Sequence, residues 1–299
     1  MKHLLVLSLC FGFLTSVYTQ TLKPYTIGAE STSDLTSVKS EVVSRLSENG
    51  FTILGQYKPA KNKKRELIVI TSNELKQAVK KVGGLSGFAA ALRVGITQEG
   101  SKVIISYTTP QYWGRAYFQD NYVQVEELFE TFADKLSRTF LSLGERSGEQ
   151  FGSEKGLKTD KLQSYKYMLG MPKFNDNIEL NAFESYSEAV SKIDGNFSMG
   201  VKDLELVYSI EFKDLKMKLY GVGLGGETGE SSFLPTIDID SPKHTAFLPY
   251  EMLVLENKVY MLHGRYRIAL SFPDLTMGTF MKIVSTPKNI IRLLEKATQ

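Results

Sequence analysis

The chain has 299 residues, 42% of them apolar and 23% charged, with a net charge of +3. That composition is ordinary for a soluble globular protein and long enough for two domains. So small a net charge does not supply the concentrated basic face that nucleic-acid binding needs, and no nucleic-acid partner is expected.

Residues 1–20 read as a signal peptide. Lys2 and His3 give a basic start, Leu4–Leu14 is an apolar run of secretory length, and Thr15–Gln20 is small and polar. The run is too short to span a bilayer as a helix, and no later segment is long and apolar enough to do so. Cys10 is the only cysteine. Leu9 before it does not fit a lipobox, and the mature chain is left without disulfides, thiol catalysis or cysteine-ligated metal. The expected location is periplasmic or extracellular.

Lys23–Ala29 can start a strand. Ser33 and Asp34 offer caps for a helix over Leu35–Glu48, with Leu35, Val38, Val42 and Leu46 at helical spacing, and Asn49-Gly50 ends it. Phe51–Tyr57 and Glu66–Thr71 read as strands around a basic loop, Lys61–Arg65. Ser72 caps a helix over Glu74–Val82. Leu92–Thr97 and Lys102–Thr108 then form a hairpin around Gly100. The second of these strands is apolar on nearly both faces, which suits a central strand. Pro110 stops it. Val125–Leu143 is a long amphipathic helix.

The order is β-α-β-β-α-β-β-α. With the Asn49–Phe51 turn, the strand Glu66–Thr71 and the ending Val103, Ser106, Tyr107 and Pro110, residues 25–144 resemble the DUF302 family, a small α/β module of undefined biochemistry. The chain departs from the family at Ala91, where proline is common. The resemblance implies a fold and no known reaction.

Residues 145–164 are polar and glycine-rich, as a linker is. The remainder, 165–299, looks like a loose echo of the first half. Tyr165–Met171 is expected as a strand, Ala182–Ile193 as a helix, and Glu205–Phe212 and Lys216–Leu224 as strands. Phe247–Leu255 and Lys258–His263 form a second hairpin in which Leu248-Pro249 stands where Leu92-Arg93 stood. Arg265–Ser271 extends that strand, and Thr276–Leu294 is helical with a break near Pro287. The fold class is therefore α+β: two related sandwich modules, each a hairpin-containing sheet covered by helices, with residues 165–296 a diverged second copy.

Several groups are candidates for chemistry. On a strand, His263, Arg265 and Arg267 would share one face and could hold an anion. Tyr107, Tyr112, Trp113 and Arg115 form an aromatic segment able to line a pocket or to pack under a helix. His244 and His263, with Asp238, Asp240 or Glu251, offer metal donors, but no H-x-x-x-H or H-x-H spacing is present and no metal is expected. Gly221–Gly229 invites a nucleotide reading, but Ser231–Pro235 does not read as the helix start that phosphate binding needs. No G-x-S-x-G is present. Two functions stay open: a non-catalytic exported module without cofactor that binds a small ligand or an envelope protein, and a hydrolase-type enzyme built on His263, His244, Arg265 and Arg267. Self-association as a homodimer is a third reading.

Overall fold

Capping and turn residues set the first element boundaries. The computed structural model describes residues 20–299, so the expected signal peptide lies outside it but for Gln20. Strand β1 (Tyr25–Ser31) leads to Asp34, whose carboxylate accepts hydrogen bonds from the amides of Thr36 and Ser37 and starts helix α1 (Leu35–Glu48). Strands β2 (Thr52–Tyr57) and β3 (Arg65–Thr71) follow, then α2 (Asn73–Val82), capped by Ser72. The hairpin is β4 (Leu92–Glu99) and β5 (Lys102–Thr108). Helix α3 (Pro110–Phe118) begins on Pro110, which lacks only an N–H that a first turn leaves unused, and α4 (Tyr122–Phe140) closes the half.

The sheet order is β2-β3-β4-β5-β1, all antiparallel, with β5 an interior strand as its two-sided apolar pattern requires. The glycine-rich stretch expected as a linker is threaded into this sheet. Gln150–Phe151, strand β6, pairs with β1, and Leu157–Lys158 pairs with Thr21–Leu22.

The second half repeats the plan. It runs β7 (Ile178–Ala182), α5 (Tyr186–Met199), β8 (Leu204–Phe212), β9 (Met217–Leu224), α6 (Glu230–Ile237), β10 (Tyr250–Leu255), β11 (Lys258–Met261) and α7 (Gly264–Ser271), then α8 (Met277–Lys282) and α9 (Thr286–Glu295). Its sheet order, β8-β9-β10-β11-β7, is that of the first half element for element, and again all antiparallel. The α+β class with two sandwich modules holds.

Three expectations are corrected. Tyr165–Met171 is irregular, because its backbone finds no strand partner. Arg265–Ser271 is helix α7, started by His263, whose ring nitrogen Nδ1 accepts a hydrogen bond from the Arg265 amide at 3.1 Å. The glycine run does lead into a helix, since Gly229 is the N-cap of α6; Pro235 inside that helix is what hid it.

The halves pack sheet towards sheet, exchanging the short turns that precede their hairpins. The turn Gly84–Ala89 lies on the second sheet, with Gly87 against Met217 and Leu253. The turn Thr245–Phe247 lies on the first, where the hydroxyls of Thr97 and Thr245 are 2.6 Å apart. Helices α3 and α7 meet about a local two-fold. Counted from their N-caps, Thr109 and His263, Tyr112 matches Tyr266, and Ala116 matches Leu270. The Tyr112 hydroxyl donates to Leu270 O at 2.7 Å, and the Tyr266 hydroxyl donates to Ala116 O at 3.3 Å. One fold position further on in each helix, Trp113 and Arg267 stack on each other, with the guanidinium 5.0 Å from the ring centre.

Candidate functional site

Four stretches distant in sequence form a cleft of about 510 Å³ at the junction of the halves. They are Lys23 before β1, the threaded stretch 149–154, the segment 236–244 after α6, and residues 272–279 beyond α7. Both polar and apolar side chains line it, as small-molecule sites require.

His244 is the one histidine on its wall, and only 8% of it is exposed. Its ring stacks on Tyr25 at 4.9 Å and Phe151 at 5.8 Å, and meets Phe272 edge-on at 4.5 Å. Its Nδ1 is 3.6 Å from the Asp238 carboxylate, which also accepts the His244 backbone N–H and is ion-paired with Arg65. Burial holds the imidazole below its ordinary pKa, against the pull of Asp238, so the ring is neutral at pH 7. A proton on Nδ1, facing Asp238, leaves Nε2 as an acceptor on the Gly152 side of the cleft.

Gly152 is what lets the threaded stretch come so near. It has φ +92°, and a Cβ there would lie 2.7 Å from the Tyr25 ring and 3.1 Å from His244 Nε2. Gly152→Ala is expected to cost about 1–3 kcal/mol and to lift residues 150–154 off His244, read as faster amide exchange in that stretch.

Two other polar groups in the cleft are engaged. The Ser153 hydroxyl donates to Asp274 at 2.9 Å, so its proton is not directed at His244. Arg146 is paired with Glu30 and Glu149.

A second cleft, of about 280 Å³, surrounds Glu230 at the start of α6. Its carboxylate accepts from Ala60 N at 2.6 Å, Leu224 N at 3.1 Å and the Tyr57 hydroxyl at 3.1 Å. Burial pushes its pKa up to about 7, against those three hydrogen bonds. A group held protonated more tightly in the fold stabilises fully below its ordinary pKa, near 4.5, and loses that contribution as pH rises to 7. Compared by urea denaturation, the wild type is therefore expected to lose about 3 kcal/mol more stability across that window than Glu230→Gln, in which the contributions of the buried histidines are unchanged.

None of the seven residues expected to bind a ligand lines the His244 cleft, whereas His244 and Asp240, named only as donors for a metal or a hydrolase site, do. Tyr107 stacks on Phe140 at 5.6 Å, and Trp113 donates to Pro24 O at 2.8 Å. Tyr112 is buried in the α3–α7 contact. Arg115 pairs with Glu126 at 2.6 Å and lies over the Tyr122 ring. On helix α7 the expected row is dispersed: Arg265 is exposed, Arg267 is buried, and His263 is a cap. Glu251 is bound to Arg93 rather than to either histidine. Among the described residues no group of three or more His, Cys, Asp or Glu side chains is placed to hold a metal, and no helix is long and apolar enough to cross a membrane.

No family model matches the chain, and no curated protein matches it significantly. One similar solved structure is that of an uncharacterized conserved protein, DUF302, from Bacillus stearothermophilus. It is 12% identical, with a TM-score of 0.35 over 39% of this chain and 94% of that one. The likeness carries no reaction and no ligand.

Proposed function

We propose that the protein is an exported, periplasmic or extracellular binding protein whose ligand site is the cleft over His244. The observation that carries this reading is the pairing of a roomy cleft with a buried, neutral imidazole braced by three aromatic rings and a carboxylate. Such a ring is rigid, and its Nε2 is suited to accept a hydrogen bond from a small ligand whose apolar part rests on Phe151 and Phe272. The matching strand orders support reading the halves as two diverged copies of a DUF302-like module, with the ligand taken up where they meet.

Native mass spectrometry of the purified mature chain tests this. A co-purifying small molecule is expected, absent from His244→Leu. If neither co-purification nor a thermal-shift screen of small metabolites finds a ligand that depends on His244, the reading fails.

The Asp238–His244 pair also favours a second reading, a hydrolase in which His244 activates water. His263, Arg265 and Arg267 have no part in that version. Turnover of ester or amide substrates that is lost in both His244→Gln and Asp238→Asn would select it over simple binding.

A further inference from the structure

The cleft over His244 runs from an apolar floor to an acidic mouth, and that gradient sets the polarity of what it can take. His244, Phe151, Ile237 and Phe272 are buried, while Glu154, Asp240 and Asp274 on the same wall are exposed. The charged side chains that line it are four carboxylates, Glu149, Glu154, Asp240 and Asp274, against two cations, Lys23 and Arg146. Arg146 is already shared between Glu149 and Glu30. Lys243 does not line the cleft, and its ammonium donates to the Asp238 and Ile239 carbonyls. Lys23 is left to offset three carboxylates. Asp274 is held by neutral donors, the Ser153 hydroxyl and the Glu154 amide. Glu154 and Asp240 form no ion pair among the described residues.

Hydrogen bonding carries the same bias. The hydroxyls of Ser153 and Ser241 donate to Asp274 and Glu99, and those of Thr276 and Thr279 bond to each other. His244 is more than nine-tenths buried, yet its ring has no hydrogen-bond partner among the described residues, and its Nε2 faces Gly152 on the cleft wall. With the proton on Nδ1, Nε2 can only accept. A polar atom buried this deeply is ordinarily satisfied, so a donor from a ligand suits it.

We propose that the ligand of this cleft is a small organic cation, a primary amine on an apolar body. Its ammonium lies among Glu154, Asp240 and Asp274, and a hydroxyl or ring N–H donates to His244 Nε2. This rests on reading the cleft as a ligand site and adds the ligand's chemical class. An ammonium has three donors and no acceptor, which matches a wall of acceptors. A carboxylate or phosphate would meet three like charges at the mouth, with one lysine to offset them. The apolar body displaces water from Phe151, Ile237 and Phe272.

The test titrates the mature protein, by ligand-observed NMR, with three probes of one shape. Tyramine is the amine, para-hydroxyphenylpropionate its carboxylate analogue, and para-ethylphenol the uncharged one. Tyramine is expected to bind about tenfold tighter than either of the others. Added salt should shrink that preference, because the carboxylates are exposed. Glu154→Gln combined with Asp240→Asn is expected to bring tyramine down to the level of para-ethylphenol, and His244→Leu to weaken both. If the carboxylate or the neutral phenol binds as tightly as tyramine and depends on His244, the amine class is wrong and the cleft remains a ligand site. Tyramine binding unchanged in the double variant would also overturn the proposal. Should none of the three bind in a way that depends on His244, the proposal falls, and co-purification with the thermal-shift screen decides the ligand-site reading separately.

Discussion

Glu251→Gln is expected to lower folding stability by about 3–5 kcal/mol, among the largest effects of any single substitution in this chain. Glu251 accepts from the Tyr208 hydroxyl at 3.2 Å, touches Arg93, and lies 3.7 Å from Arg267 Nε. Gln keeps the shape and removes the charge, so two buried guanidiniums lose the only carboxylate they share. The asymmetry is the sharper test. Arg93→Met removes one positive charge and leaves a balanced pair, so it is expected to cost clearly less than Glu251→Gln. Urea denaturation followed by fluorescence of Trp113, the single tryptophan, reads both. That ring lies against Arg267 and is 1% exposed, so it reports directly on this junction. Equal losses in the two variants would mean that packing rather than charge balance governs the site.

The second large effect is expected at Gly55. There β2 runs so close to β8 that a Cβ would lie 2.0 Å from the Val207 carbonyl oxygen and 2.9 Å from its carbon. The obstacle is backbone, which cannot rotate aside as a side chain does. Gly55→Val must push the two edge strands apart, and a loss at or above about 3 kcal/mol is expected. Urea denaturation measures it, and amide exchange should quicken in both β2 and β8. Exchange that quickens only in β2 would mean that the strand yields without disturbing its neighbour.

Local signals in the sequence carried as far as each half-fold and no further. The two hairpins were legible because short turns, at Gly100 and at Glu256-Asn257, separate runs of β-forming residues, a pattern fixed within a few positions. Helix α7 was not. His263, Arg265 and Arg267 alternate as a strand would, and what overrides that pattern is distant. Arg267 bonds Phe247 O at 2.7 Å, twenty residues back in its own half, and packs on Trp113 of the other half, a contact available only once both halves are folded. The cleft was illegible for the same reason. His244 and Asp238 were visible as neighbouring candidates, but the stretches that enclose them begin at Lys23 and end at Thr279. The Arg93–Glu251 pair gave no local sign at all, since it joins corresponding strands of different halves.

The stacked pair at the local two-fold depends on the two halves differing in sequence. In an assembly of two identical subunits, a residue next to the axis meets its own copy: tryptophan meets tryptophan, or arginine meets arginine with two like charges in contact. Trp113 and Arg267 hold matching positions yet differ, and each is stabilised by not being the other. Such a pair is closed to two identical halves and open only to halves that differ in sequence.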